Sequence, residues 1–212
     1  MNLSDKKEAK RTSKLNIPNT LSLLRVILVP VFMATVLFVP DMPYYLGRLI
    51  PAAIFILVAL TDMFDGKIAR KYNLITDFGK FIDPLADKFM IFGALLAMVV
   101  EYDYLSNYLV WIAAIVMLRE LAVTSIRLVV AGNEGIVVAA SMFGKVKTVI
   151  QIVSTVAIIV EPIIIDFLFD GYLLDNGLYI ISYIAMAAMC SVTVLSGIDY
   201  LKSYWKYIDV AK

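Results

Sequence analysis

The stretch VWIAAIVML at 110–118 carries no charge, no proline and no glycine, and ISYIAMAAM at 181–189 is almost as continuously apolar. A half-buried strand alternates apolar with polar residues, and a membrane β-barrel repeats that alternation in segments of about ten. Neither run alternates, so both read as helices that are apolar all round and that need lipid as their solvent. Working outward from them, six such stretches lie near 18–40, 46–65, 79–100, 108–131, 145–166 and 178–200. Each is close to the roughly 20 residues needed to cross a hydrocarbon core about 30 Å thick. The composition agrees: 212 residues that are 61% hydrophobic, with a mean hydropathy of +0.85, cannot furnish an ordinary water-facing surface. The expected fold is all-α and polytopic. Six transmembrane helices form one membrane domain over 18–201, after a short cytoplasmic or interfacial segment at 1–17 and before a tail at 202–212.

Charge placement gives the orientation. Lys6, Lys7, Lys10, Arg11 and Lys14 precede the first expected span, and Lys202, Lys206 and Lys212 follow the sixth. Lysine and arginine mark the cytoplasmic side, so both termini are expected there. The connections near 41–47, 101–107 and 167–177 hold Asp or Glu but no Lys or Arg, as outward loops should. The other two carry Lys67, Arg70, Lys71 and Lys80, then Lys145 and Lys147, as inward loops should. The opening run lacks a small-residue cleavage site and reads as a retained cytoplasmic segment. The net charge of +1 hides this segregation. Basic residues gathered at one membrane face suit anionic headgroups, and no nucleic-acid partner is expected.

Histidine is absent and Cys190 is the single cysteine, which removes an intrachain disulfide, a thiolate zinc site and a Ser-His-Asp triad. Chemistry is left to carboxylates, lysine, arginine and hydroxyls. Cys190 itself reads as a small apolar packing residue.

Those carboxylates concentrate in LTDMFDGKIARKYNLITDFGKFIDPLADK at 60–88, across the inner end of span two and the start of span three. Asp62 and Asp65 are three apart and Asp83 and Asp87 four apart, so each pair shares one helix face. An ionised side chain inside a span costs about 2.5–3.5 kcal/mol on insertion scales. Four like charges in a partly dry site drive protonation unless a divalent cation reverses the balance. Oxygen-only ligands point to Mg²⁺ or Mn²⁺, with Ca²⁺ allowed by ligand type. Gly66 and Gly79 let a bulky polar group approach the backbone, and Ala69 keeps that approach narrow. Asp77 reads as a helix cap.

The full spacing, Asp62-x2-Asp65-Gly66-x2-Ala69-Arg70-x8-Gly79-x3-Asp83-x3-Asp87, resembles the signature of the CDP-alcohol phosphotransferases, with every fixed position filled. So long a pattern is far more specific than a short glycine motif. The resemblance implies six core helices, a homodimer and a site open to the cytoplasmic half of a membrane. It also implies that Asp62, Asp65 and Asp83 hold two divalent ions, with Asp87 near them as general base, and that the catalytic carboxylates are Asp83 and Asp87. Asp62, Gly66, Ala69, Arg70 and Gly79 would accommodate the cytidine nucleotide.

Outside the signature, Arg25, Arg119 and Arg127 fall inside expected spans, and Lys145 and Lys147 open the fifth. Snorkelling accounts for Lys147 and Arg127 but not for Arg119, deep in its span. A phosphate-bearing acceptor explains the cluster, because guanidinium forks and ammonium groups suit phosphate oxygens. The segments LNIPNTLSLLRVILVP at 15–30, Arg119-Glu120 and SMFGKVKT at 141–148 also look like those family members whose acceptor is glycerol 3-phosphate. That resemblance implies CDP-diacylglycerol as donor, sn-glycerol 3-phosphate as acceptor, and a bacterial plasma membrane as location. Two competing readings are a family member with another acceptor, an inositol phosphate or a lipid, and a transporter whose intramembrane charges line an ion path.

Overall fold

The computed structural model describes residues 17–38, 44–71, 76–134, 142–169 and 178–205, and these are helical almost throughout. In chain order the helices are α1 (Ile17–Phe38), α2 (Tyr44–Lys71), α3 (Asp77–Glu101), α4 (Asp103–Glu134), α5 (Met142–Phe169) and α6 (Ile180–Tyr204). Each expected stretch corresponds to one helix. Four helices, α1, α4, α5 and α6, are long and apolar enough to cross a membrane over most of their length. In α2 the apolar part is Tyr45–Thr61, and α3 carries Asp83, Asp87 and Lys88 in its first half.

The helix ends differ from expectation where charge interrupts hydropathy. The connection expected from residue 66 onward is in fact helical up to Lys71, and the next helix begins at Asp77. Charged residues end an apolar run without ending the backbone ladder, which continues wherever side chains have straight stems and good helix propensity. The cap of α3 is also one residue earlier than expected. Thr76, in extended backbone at φ −116° and ψ 159°, accepts a hydrogen bond from the Gly79 amide, so the capping role falls to Thr76 instead of Asp77.

Helix packing closes a ring: α1 on α3, α3 on α4, α4 on α6, α6 on α5, α5 on α2 and α2 back on α1, with α3 also touching α5 across the middle. One large core fills it. Phe32 and Phe55 meet at 5.2 Å between ring centres, and Leu95, Met98, Leu105, Leu109, Val116, Ile158, Ile159 and Met189 are fully buried around them. Cys190 packs against this core as a half-buried free thiol. A smaller cluster of Val123, Ile126, Val130 and Tyr200 joins α4 to α6. Outward, the ring presents large apolar side chains, Phe38 at 80%, Trp111 at 72% and Phe167 at 84% exposure. Such a surface is stable against lipid and costly against water. Proline inside α1, α2, α3 and α5 is tolerated in this setting, where neighbouring helices can satisfy the freed backbone groups.

Candidate functional site

Polar side chains gather at the end of the ring formed by the first halves of α1, α3 and α5 and the second halves of α4 and α6. A cleft of about 560 Å³ opens there. Asp83, Asp87 and Lys88 of α3 line it on one side, Arg119, Glu120, Thr124 and Arg127 of α4 on another, and Lys147, Thr148 and Gln151 of α5 on the third. Between them Met90, Ile91, Phe92, Val123 and Leu128 form apolar wall. Apolar walls strengthen each charge interaction inside the cleft by excluding water.

The α3 carboxylates are held from behind by α1. The Ser22 hydroxyl donates to Asp83 Oδ1 at 2.5 Å, and Arg25 Nη1 donates to Asp87 Oδ1 at 2.7 Å. Arg25 is completely buried, while the Asp87 side chain keeps 53% of its surface. One residue along, Lys88 donates to Thr124 on α4 at 2.7 Å. Both carboxylates therefore have one oxygen tied to the fold and yet face the cleft, as their four-residue spacing requires.

Opposite them, Glu120 gathers two cations onto a single oxygen. Its Oε1 accepts from Lys147 Nζ at 2.5 Å and from Arg119 Nη1 at 2.9 Å. All three side chains are nearly buried, at 10% exposure for Arg119, 14% for Glu120 and 9% for Lys147. Arg119 Nε is buried with no hydrogen-bond partner among the described residues, an unmet donor. Room for the Arg119 stem comes from α6: a Cβ on Gly197 would stand 3.2 Å from Arg119 Cγ. Arg127 reaches Tyr200 at 3.4 Å, and Gln151 reaches Thr193 at 3.3 Å.

The expected site residues divide accordingly. Asp83, Asp87, Arg119, Arg127 and Lys147 meet in the cleft. Lys147 does not snorkel: it is buried on Glu120, because a carboxylate one helix away is a better partner than distant water. Lys145 is exposed and does not line the cleft, since two residues at 3.6 per turn separate it from Lys147 by about 200° around α5. Arg25 turns to Asp87 and also does not line the cleft. Gly79 is buried, and its missing side chain makes room for Asn19, whose Oδ1 would lie 2.8 Å from a Cβ. Asp62, Asp65, Gly66, Ala69 and Arg70 fall on the last turns of α2, and their side chains lie outside the described residues, as do those of Asp77 and Lys80. Residue reading gave Ser22 and Lys88 no part, and Glu120 none beyond its place beside Arg119. Ser22 and Arg25, three apart on one face of an otherwise apolar helix, were the available signal for the first.

Among the described residues no three carboxylates converge to form a metal site. Asp83 and Asp87 nevertheless supply two fixed, cleft-facing oxygen donors with no histidine or cysteine beside them among the described residues, a donor set that fits a hard divalent cation.

Residues 15–195 match the family described as CDP-alcohol phosphatidyltransferase. The chain is 37% identical, over 92% of its length and 98% of the relative's, to the CDP-diacylglycerol–glycerol-3-phosphate 3-phosphatidyltransferase of Bacillus subtilis. It is 36% identical to a probable phosphatidylglycerophosphate synthase of Mycobacterium tuberculosis, over 91% of this chain and 83% of the relative. A Yersinia enterocolitica protein bearing the same name as the Bacillus one is 33% identical, over 91% of this chain and 97% of that protein.

Proposed function

This chain belongs to the CDP-alcohol phosphatidyltransferase family, and from that premise we propose that it transfers the phosphatidyl group of CDP-diacylglycerol to sn-glycerol 3-phosphate, releasing CMP. The observation that carries this reading is a cleft in which Asp83 and Asp87 face the Arg119–Glu120–Lys147 cluster. One wall suits a metal-bound pyrophosphate and the other a phosphorylated alcohol.

Asp62, Asp65, Asp83 and Asp87 are the ligands for two Mg²⁺ or Mn²⁺ ions, which supply Lewis acidity to the pyrophosphate and to the departing CMP. Asp62, Gly66, Ala69, Arg70 and Gly79 hold the cytidine nucleotide. Arg119 and Lys147, with Arg127, bind the acceptor phosphate, and the unmet Arg119 Nε–H is a donor available to one of its oxygens. Exposed Lys145 adds to the attraction of a dianion toward the cleft. The bound acceptor turns a hydroxyl toward the diacylglycerol-bearing phosphorus. Its oxygen forms the new P–O bond, its proton passes to Asp87, and the bond to the CMP phosphate breaks with its electron pair on CMP. Apolar Met90, Ile91 and Phe92 limit water as a competing nucleophile.

The protein is a multi-pass membrane protein by its apolar helices. In our reading six helices span a bacterial plasma membrane as a domain over 18–201, the flanks 1–17 and 202–212 and the cleft face the cytoplasm, and two copies form a homodimer. Asn73→Cys should then label with a membrane-impermeant reagent only after the membrane is opened; labelling from outside contradicts this orientation. The decisive assay is CMP release by the purified protein in lipid nanodiscs. Release that requires sn-glycerol 3-phosphate is expected. Release driven equally by an inositol phosphate, or none with any acceptor, rejects the assignment.

A further inference from the structure

Three polar rungs cross the seam between α1 and α3 in register. Asn19, Ser22 and Arg25 follow at intervals of three along α1 and share a face, and all are buried, Ser22 and Arg25 completely. Against them, Thr76 donates to Asn19 Oδ1 at 3.0 Å, Ser22 donates to Asp83 at 2.5 Å and Arg25 donates to Asp87 at 2.7 Å. The first rung fixes where α3 starts. Thr76 Oγ1 also accepts from the Gly79 amide at 3.0 Å, and Asn19 occupies the space a Gly79 side chain would need. The next two rungs fall on the two carboxylates that face the cleft.

Packing alone does not call for this seam. A buried guanidinium is costly unless paired, and leucine would join two membrane helices without that cost. What the rungs add is orientation. A carboxylate on the first turns of a helix can rotate about two side-chain bonds, and tying one oxygen to a neighbouring helix removes that freedom before any ligand arrives. We infer that Ser22 and Arg25 are positioning residues, which hold Asp83 and Asp87 in the orientation that takes up divalent metal, and that Arg25 is not a contact of the acceptor phosphate. The inference rests on the metal reading proposed above.

Two substitutions keep the net charge and so isolate orientation: Ser22→Ala removes a hydroxyl, and Arg25→Lys replaces a planar fork with a single ammonium. The probe is Mn²⁺ alone, titrated into the full-length protein in nanodiscs and followed by the electron paramagnetic resonance signal of the free ion. Hydrogen-bond partners of metal ligands typically contribute 10- to 100-fold to affinity or activity. Each variant is therefore expected to weaken Mn²⁺ binding by roughly tenfold and to lower kcat comparably, with the KM for glycerol 3-phosphate within about twofold of the unaltered protein. Thermal unfolding in EDTA separates misfolding from misplacement, and Ser22→Ala, the smaller change, remains decisive if Arg25→Lys unfolds. Unchanged Mn²⁺ binding and kcat in Ser22→Ala overturn the inference. So does a raised KM for glycerol 3-phosphate in Arg25→Lys at unchanged Mn²⁺ affinity, the signature of an acceptor contact. If the unaltered protein binds no Mn²⁺, the metal reading itself falls.

Discussion

At the end of the ring away from the cleft, Glu161 of α5 is completely buried, and its two carboxylate oxygens accept the Ile181 and Ser182 amides of α6 at 2.6 and 2.7 Å. Arg48 lies 4.3 Å from the centre of the Tyr102 ring, and Tyr104 stacks on Tyr179 at 3.9 Å. At the cleft end Asp83 and Asp87 are also tied to the fold, yet both remain exposed. Both ends place carboxyl and guanidinium groups in a lipid-facing ring. In one, the carboxylate caps a helix whose N-terminal amides need an acceptor. In the other, the carboxylates keep exposed surface toward the cleft, where a ligand can reach them. Substitutions should therefore act on stability at the first end and on turnover at the second.

The largest expected effect tests the cleft end. Asp83→Ala removes a proposed metal ligand, worth several kcal/mol of charge stabilisation, so kcat should fall on the order of a thousandfold or more in an intact, inserted protein. EDTA should do the same to the unaltered enzyme, with Mn²⁺ or Mg²⁺ restoring it; full activity in chelator removes the metals from the scheme. Next, Arg119→Ala and Lys147→Ala each delete a charge-assisted hydrogen bond worth about 1.5–3 kcal/mol, so kcat/KM for glycerol 3-phosphate should drop roughly ten- to a hundredfold. Arg119→Lys should recover only part, because an ammonium cannot make the bidentate contact. Lys145→Ala should cost distinctly less than Lys147→Ala, and equal losses would mean that Lys145 also reaches the acceptor.

The opposite end offers the contrast. Glu161→Gln should lower the unfolding midpoint by a few degrees, about 1–2 kcal/mol for a weakened cap, while leaving kcat within twofold. A comparable loss of turnover would erase the distinction between the two ends. The smallest effect belongs to Gly197→Ala, whose added methyl would stand 3.2 Å from Arg119 Cγ. A flexible stem can shift by that much, so the acceptor KM should rise only about fivefold, near 1 kcal/mol.

The number and type of helices were legible because lipid makes one demand on every spanning segment, an unbroken apolar run. Helix ends were less so. Between Asp62 and Lys71 hydropathy falls while the helix continues, since hydropathy reports the solvent and not the hydrogen-bond ladder. Asp83, Asp87 and Arg119 could be singled out from their position inside expected spans, and all three line the cleft. Arg25 and Lys147 could not be assigned the same way. Their partners, Asp87 and Glu120, lie 62 and 27 positions away, and which cation meets which anion depends on how helices rotate against each other. Lys145 and Lys147 have the same charge and nearly the same position in sequence; only the face of α5 separates them.

The cleft also divides the chain in time. A polypeptide leaves the ribosome from its N-terminus, and all four aspartates of the signature precede residue 88, whereas Arg119, Glu120 and Lys147 follow it. Newly inserted α1 to α3 must therefore lodge acidic side chains in a bilayer before the cations of α4 and α5 exist. Ser22 and Arg25, made earlier still, are already there to receive Asp83 and Asp87. The α1–α3 contacts of Ser22 with Asp83 and of Arg25 with Asp87 are thus made entirely by residues synthesised before α4 begins.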